Sequence, residues 1–204
     1  MCVLRRRRAS GDLVQLRGEV DRGLRTRRFL GYRESSEWAR AARPIVDELR
    51  IAVARAPSID VVVLLQRAVG HVVKVILRAD DSNGTIGDLA RELLDLHAQV
   101  CDARVADPVK LAAWMVRFSC EDQDFFEVDP VRYAVALGEP GLAAYRQAIA
   151  RRDGEQSFAV RWARERLAVL DGDTQAIITL LGADLSTPHQ FSRVCRGDGR
   201  ARPR

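Results

Sequence analysis

Leu13, Leu16, Val20 and Leu24 recur at spacings of three and four residues, and this spacing returns segment after segment along the chain. Such a period places apolar side chains on one face of an α-helix, and a strand cannot satisfy it. The first segment reads as a helix over about 12–29, stopping at Gly31. Ser35 and Ser36 cap a second helix carrying Trp38, Ala41, Ala42, Ile45, Leu49 and Val53, with Pro44 imposing a kink or a late start. Pro57-Ser58 breaks the chain, and Ser58 or Asp60 opens a third helix to about Arg78. Its run Val61-Val62-Val63-Leu64-Leu65 could pass for a strand. The spacing of Leu65, Ala68, Val69, Val72, Val73 and Ile76 assigns it to a helix instead.

Asp80-Asp81-Ser82-Asn83-Gly84 has turn composition. Thr85-x-x-Asp88 has the form of a capping box, and Ile86, Leu89, Leu93, His97 and Val100 mark one face of a fourth helix ending near Arg104. Asp107-Pro108 and Asp129-Pro130, 22 residues apart, each pair an N-cap Asp with Pro at the first helical position. The first opens a helix with Leu111, Trp114, Met115 and Phe118 inward. The second opens a short helix ending at Leu137-Gly138. Gly141 starts another helix to about Arg152, and helices follow over about 155–171 and 173–182, split by Asp171-Gly172-Asp173. Ser186-Thr187-Pro188 begins a last one, from Phe191 to about Cys195.

The fold class is therefore all-α: stacked helical hairpins, an α-solenoid-like superhelix of tetratricopeptide or HEAT type without a repeat consensus. Residues 1–11 read as a basic tail, 12–195 as the helical-repeat domain and 196–204 as a basic disordered tail. The helical pattern stops abruptly, so a truncated array, or a gene remnant with an apolar face left open near 173–195, is a further expectation.

Charge is distributed unevenly. Residues 1–33 hold ten Arg against three acids and residues 193–204 five Arg against one Asp, so the body between is acidic although the whole chain is +5. Basic ends can neutralise phosphates, which makes Arg5, Arg6, Arg7, Arg8, Arg25, Arg27 and Arg28 the nucleic-acid candidates. The plainer reading is genomic bias, since Lys74 and Lys110 are the sole lysines among 33 basic residues.

The charged stretch Ser10–Arg28 follows the basic run where a secretory h-region would stand, and Val61–Leu77 carries too many polar groups to span a bilayer. A cytoplasmic chain with no membrane contact is expected, its cysteines (Cys2, Cys101, Cys120 and Cys195) reduced.

His97 and Cys101, four apart on one face, could share a metal, but both lie on the apolar stripe and read first as core residues. Asp80–Gly84 hints at a calcium loop, yet with Gly84 at the sixth position the first and twelfth are Ala79 and Ala90, and neither can chelate. Glu121, Asp122 and Asp124 surround Phe125-Phe126, which anchor the loop in the core. That acidic cluster suits a basic partner or simply a solvated loop. Neither a nucleophile motif nor a Gly-rich phosphate loop is present, and no cofactor is implied.

Phe29-Leu30-x-Tyr32, Asp80-Asp81-Ser82-x-Gly84, Leu96-His97-x-x-x-Cys101 and Asp107-Pro108-x-x-Leu111-Ala112-x-Trp114 occur in that order. Val128-Asp129-Pro130-x-x-Tyr133, Leu137-Gly138-x-x-Gly141-Leu142 and Tyr145 follow. Over about 12–190 the chain resembles an uncharacterised helical region of bacterial proteins, found downstream of SWIM-type zinc fingers. The resemblance implies further helical repeats beyond residue 190 and no assignable activity. The Cys-x-Cys and Cys-x-His pairs of the zinc finger are absent here, so its metal site does not carry over. A protein-interaction scaffold is the first functional expectation, a nucleic-acid-associated accessory protein the second and a metal-dependent enzyme the third.

Overall fold

Short local signals set the starts of three helices. The Ser58 hydroxyl accepts from the Val61 amide (3.4 Å), the Asp107 carboxylate from Lys110 (2.9 Å) and the Ser157 hydroxyl from Val160 (3.3 Å). Each satisfies an amide that the first helical turn would otherwise leave bare. In the computed structural model these caps belong to a chain described over residues 2–155, 157–176 and 179, with side chains described from Asp12 onward.

The α-helices are α1 (Cys2–Gly23), α2 (Tyr32–Arg55), α3 (Ile59–Ile76), α4 (Thr85–Cys101), α5 (Pro108–Arg117), α6 (Ala134–Ala150) and α7 (Phe158–Asp171). A π-helical turn, Phe118–Asp122, extends α5. Among the described residues there is no strand beyond one isolated parallel bridge between Leu30 and Ala79. The protein is all-helical, and Val61–Leu65 is helical as its longer-range spacing requires.

Several boundaries depart from expectation. α1 begins at Cys2, so the backbone of residues 2–11 is helical; Leu, Ala and Arg favour helix, and the helix continues through Gly11. The side chains of Arg5, Arg6, Arg7 and Arg8 lie outside the described residues, as do the expected helix at 186–195 and the tail 196–204. α1 ends at Gly23, short of residue 29.

α2 starts at Tyr32, where the Glu34 carboxylate reaches back to the Gly31 amide (3.0 Å), and it runs through Pro44. Pro44 is exposed, so water can serve the carbonyl one turn earlier. Ser35 does not cap; it is buried and its hydroxyl donates to the Leu30 carbonyl (3.4 Å).

At α4 the expected Thr85–Asp88 box is replaced by Asp81, whose carboxylate accepts from Ile86 (2.9 Å) and Gly87 (2.8 Å). That leaves the Asp80–Gly84 turn as a helix cap. Pro130 opens a turn instead of a helix, and α6 begins at Ala134. The break read at Gly138 is present inside α6, where its φ of 52° ends one helical segment before Pro140 begins the next. At the end of α7 the Gly172 amide reaches Val169 (3.3 Å) and the Asp173 amide reaches Ala168 (3.0 Å), a left-handed glycine stop.

α1 packs on α2 and α3, and α4 packs on α2 and α3, around Val20, Leu24, Leu49, Leu65, Val69 and Leu89. Burying each of these branched side chains contributes about 1.5–3 kcal/mol. α5 and α6 pack chiefly on each other, with α7 against α6. Tyr133 and Trp114 join the two groups by closing over His97 of α4. Among the described residues no helix is long and apolar enough to cross a membrane.

Candidate functional site: a basic groove between α1 and α3

The stretch between α1 and α2 is pinned to the end of α3. The Leu30 amide donates to the Arg78 carbonyl and the Asp80 amide to the Leu30 carbonyl, both at 2.8 Å. Leu30 is buried, and this anchor draws Arg25 and Arg27 alongside Lys74 and Arg78. Together with Thr26, His71, Val75 and Leu77 they line a groove of about 270 Å³.

The rear of the groove is an organised ionic cluster. Arg67 binds both carboxylate oxygens of Asp21, through Nε to Oδ1 and through NH2 to Oδ2 (2.9 Å). His71 Nε2 lies 3.0 Å from Asp21 Oδ1 and 3.2 Å from Arg25 Nε. A bare Nε2 accepts from Arg25, whereas a protonated Nε2 donates to Asp21. Arg67 first and His71 second hold Asp21 well below the usual carboxylate range. Burial is the main force pushing His71 below its ordinary value, helped by the Arg25 and Arg67 charges and opposed by Asp21.

Three cations that line the groove stand apart from several others among the described residues, which pair with acids. Arg43, Arg50, Arg132, Arg146, Arg152 and Arg166 each meet a carboxylate. Among the described residues Arg27, Lys74 and Arg78 have neither an ion pair nor a side-chain hydrogen bond. Arg28 turns away and pairs with Glu34. Phe29 and Leu77 are 66% and 64% exposed beside these cations.

Of the sequence candidates, Arg25 and Arg27 thus meet in one place and Arg28 does not. Lys74, Arg78 and His71 were missed, although a signal existed. Arg67, His71 and Lys74 follow at spacings of four and three, a polar stripe down a largely apolar helix, and Arg78 continues the spacing into the turn after it.

His97 and Cys101 sit in the core. The Tyr133 hydroxyl donates to the Leu94 carbonyl (3.3 Å), so it accepts from His97 Nδ1 (2.8 Å), which leaves His97 Nε2 to accept from Gln66 Nε2 (3.2 Å). The neutral imidazole is fully satisfied. Trp114 lies against its ring at 4.3 Å between centroids, and burial pushes its pKa down to about 3. Burial likewise pushes the Cys101 thiol up to about 12, so no thiolate is at hand as a ligand. Among the described residues no three His, Cys, Asp or Glu side chains are grouped to hold a metal ion.

The acidic cluster is largely spent within the chain. Glu121 pairs with Arg152, Asp122 lies 3.5 Å from Arg117, and Asp124 stays exposed. Phe126 is buried as expected, but Phe125 is 47% exposed. Gln123, not singled out in the sequence, holds this loop. Its Nε2 donates to the carbonyls of Phe118 (2.9 Å) and Phe126 (2.6 Å), and its Oε1 accepts from the amides of Phe125 (2.6 Å) and Phe126 (2.8 Å).

Comparison with protein families, with curated proteins and with solved structures finds no match to this chain.

Proposed function

We propose that this chain is a nucleic-acid-associated binding protein whose basic groove between α1 and α3 holds a phosphodiester backbone. The observation that carries the reading is the gathering of Arg27, Lys74 and Arg78, three cations without an intramolecular partner, around one concavity. Like charges brought together repel, and phosphates would offset that repulsion while releasing bound counterions. The resemblance to regions that accompany SWIM-type zinc fingers fits an accessory role beside a nucleic-acid-binding partner.

The test is fluorescence anisotropy with a labelled oligonucleotide across a salt series. Affinity should fall linearly on a log–log plot against salt. Lys74→Glu combined with Arg78→Glu should weaken binding and flatten that slope by about two contacts' worth. Lys110→Glu, a charge reversal on α5, should do neither. Salt-independent binding, or equal losses from all these variants, would remove the reading.

A second reading, a protein-interaction scaffold, rests on a separate groove of about 460 Å³ where α1 meets α2. Leu13, Leu16, Ile51 and Val61 line it together with Asp12, Glu19, Glu48 and Arg55, an apolar and mainly acidic lining that suits a basic amphipathic helix. The packing of α1 on α3 and of α2 on α4 supports a stacked-hairpin, solenoid-like arrangement of this half. A protein partner that survives nuclease treatment and is lost with Ile51→Asp would favour the scaffold.

A further inference from the structure

We infer that the ligand of the basic groove is a single-stranded nucleic acid, one of whose bases stacks on the exposed ring of Phe29; this rests on the reading of the groove as a phosphodiester site. Phe29 is two residues from Arg27 and immediately precedes Leu30, whose amide is bonded to the Arg78 carbonyl. That bond holds the backbone at Phe29 beside Arg78, with Leu30 turned into the core at 2% exposure and the Phe29 side chain 66% exposed. An apolar ring of that size left to water on a pinned segment, beside unpaired cations, is the combination that single-strand sites use: charges along the backbone and an aromatic face for a base. Leu77, 64% exposed and lining the same groove, adds apolar surface for the sugar or base edge.

Strandedness follows from the same features. In a duplex the base faces are already stacked on one another, and an exposed Phe ring gains nothing from them. A single strand offers a free π-face at every nucleotide, so stacking is available without sequence preference.

The experiment compares three probes on the full chain: labelled oligo(dT) of twenty nucleotides, a sugar-phosphate twenty-mer of abasic sites, and the dT oligomer annealed to oligo(dA). Oligo(dT) should bind about tenfold more tightly than the abasic chain, the contribution of one stacked base, and more tightly than the duplex. Phe29→Ala should erase that advantage without changing abasic binding, and Phe29→Tyr should keep it. Equal affinity for oligo(dT) and the abasic chain, or a Phe29→Ala loss shared by both, would overturn the stacking inference while leaving the phosphate reading standing. Absence of binding to every probe would overturn both. Thermal melting of each variant separates lost contact from lost fold, since Phe29 is exposed and its removal should leave the melting temperature unchanged.

Discussion

Nδ1 of His97 lies 2.8 Å from the hydroxyl of Tyr133, which joins α4 to the segment before α6 across 36 residues of sequence. The hydroxyl is at once acceptor for the imidazole and donor to Leu94, so one atom closes a buried polar chain that begins at Gln66. Tyr133→Phe removes that atom and strands a buried imidazole N–H. A loss of about 1–3 kcal/mol is expected for an unsatisfied buried group. Urea unfolding measures it; an unchanged midpoint would show that the chain of hydrogen bonds does not contribute to stability.

The same burial makes stability depend on pH. His97 is pushed from 6.5 to about 3 in the folded chain, and burial lowers His71 as well. The unfolded chain therefore takes up protons below pH 6.5 that the folded chain refuses. The stabilisation is complete above 6.5 and is lost as pH falls toward the folded values, by up to about 1.4 kcal/mol per pH unit per histidine. Asp21 acts in a different window. Its lowered pKa gives stability that is intact above its ordinary value of 3.8, so it cannot account for losses between pH 6.5 and 5. Urea midpoints at pH 7.5, 6 and 5 should fall in order, and His97→Gln should show a shallower fall. A flat profile would mean that the histidines are protonated in the fold.

Gly141 lies at a close approach between α5 and α6. A Cβ there would lie 2.9 Å from the Pro108 carbonyl oxygen and 2.9 Å from Leu137 Cδ2. The leucine can turn, but the carbonyl belongs to the first turn of α5 and cannot. Gly141→Ala is expected to cost about 1–3 kcal/mol by overpacking, despite alanine's better helix propensity. An increase in melting temperature would show that the two helices separate freely.

These features were unequally legible in the sequence. Ser58, Asp107-Pro108 and Gly172 act within a few residues of their own position, and their helices begin or end as the sequence indicates. Asp81 also acts locally, but from outside the capping-box register, because Gly84 turns left-handed at φ 73° and lets the carboxylate reach past it. Gln123 holds its loop through four bonds that no apolar period announces. Arg25 and Arg27 stood out by charge. Their association with Lys74 and Arg78 depends on the Leu30 bridge to the end of α3, a contact between segments nearly fifty residues apart that periodicity within either one cannot supply.

The carboxylate behind the groove gives a prediction of opposite sign from the charge reversals. Asp21 sits 4.0 Å from the Arg25 guanidinium and binds Arg67 through both oxygens, so it draws on positive charge that the groove could otherwise offer to phosphate. Asp21→Asn removes one negative charge and releases two arginines. Binding of oligonucleotide should tighten, and its salt dependence should steepen by about one further contact. Stability should fall at the same time, by about 1–3 kcal/mol, because Arg67 loses its charged partner. Weaker binding in a variant that remains folded would show instead that Asp21, through His71 and Arg25, sets the geometry of the groove and that its charge is the lesser effect.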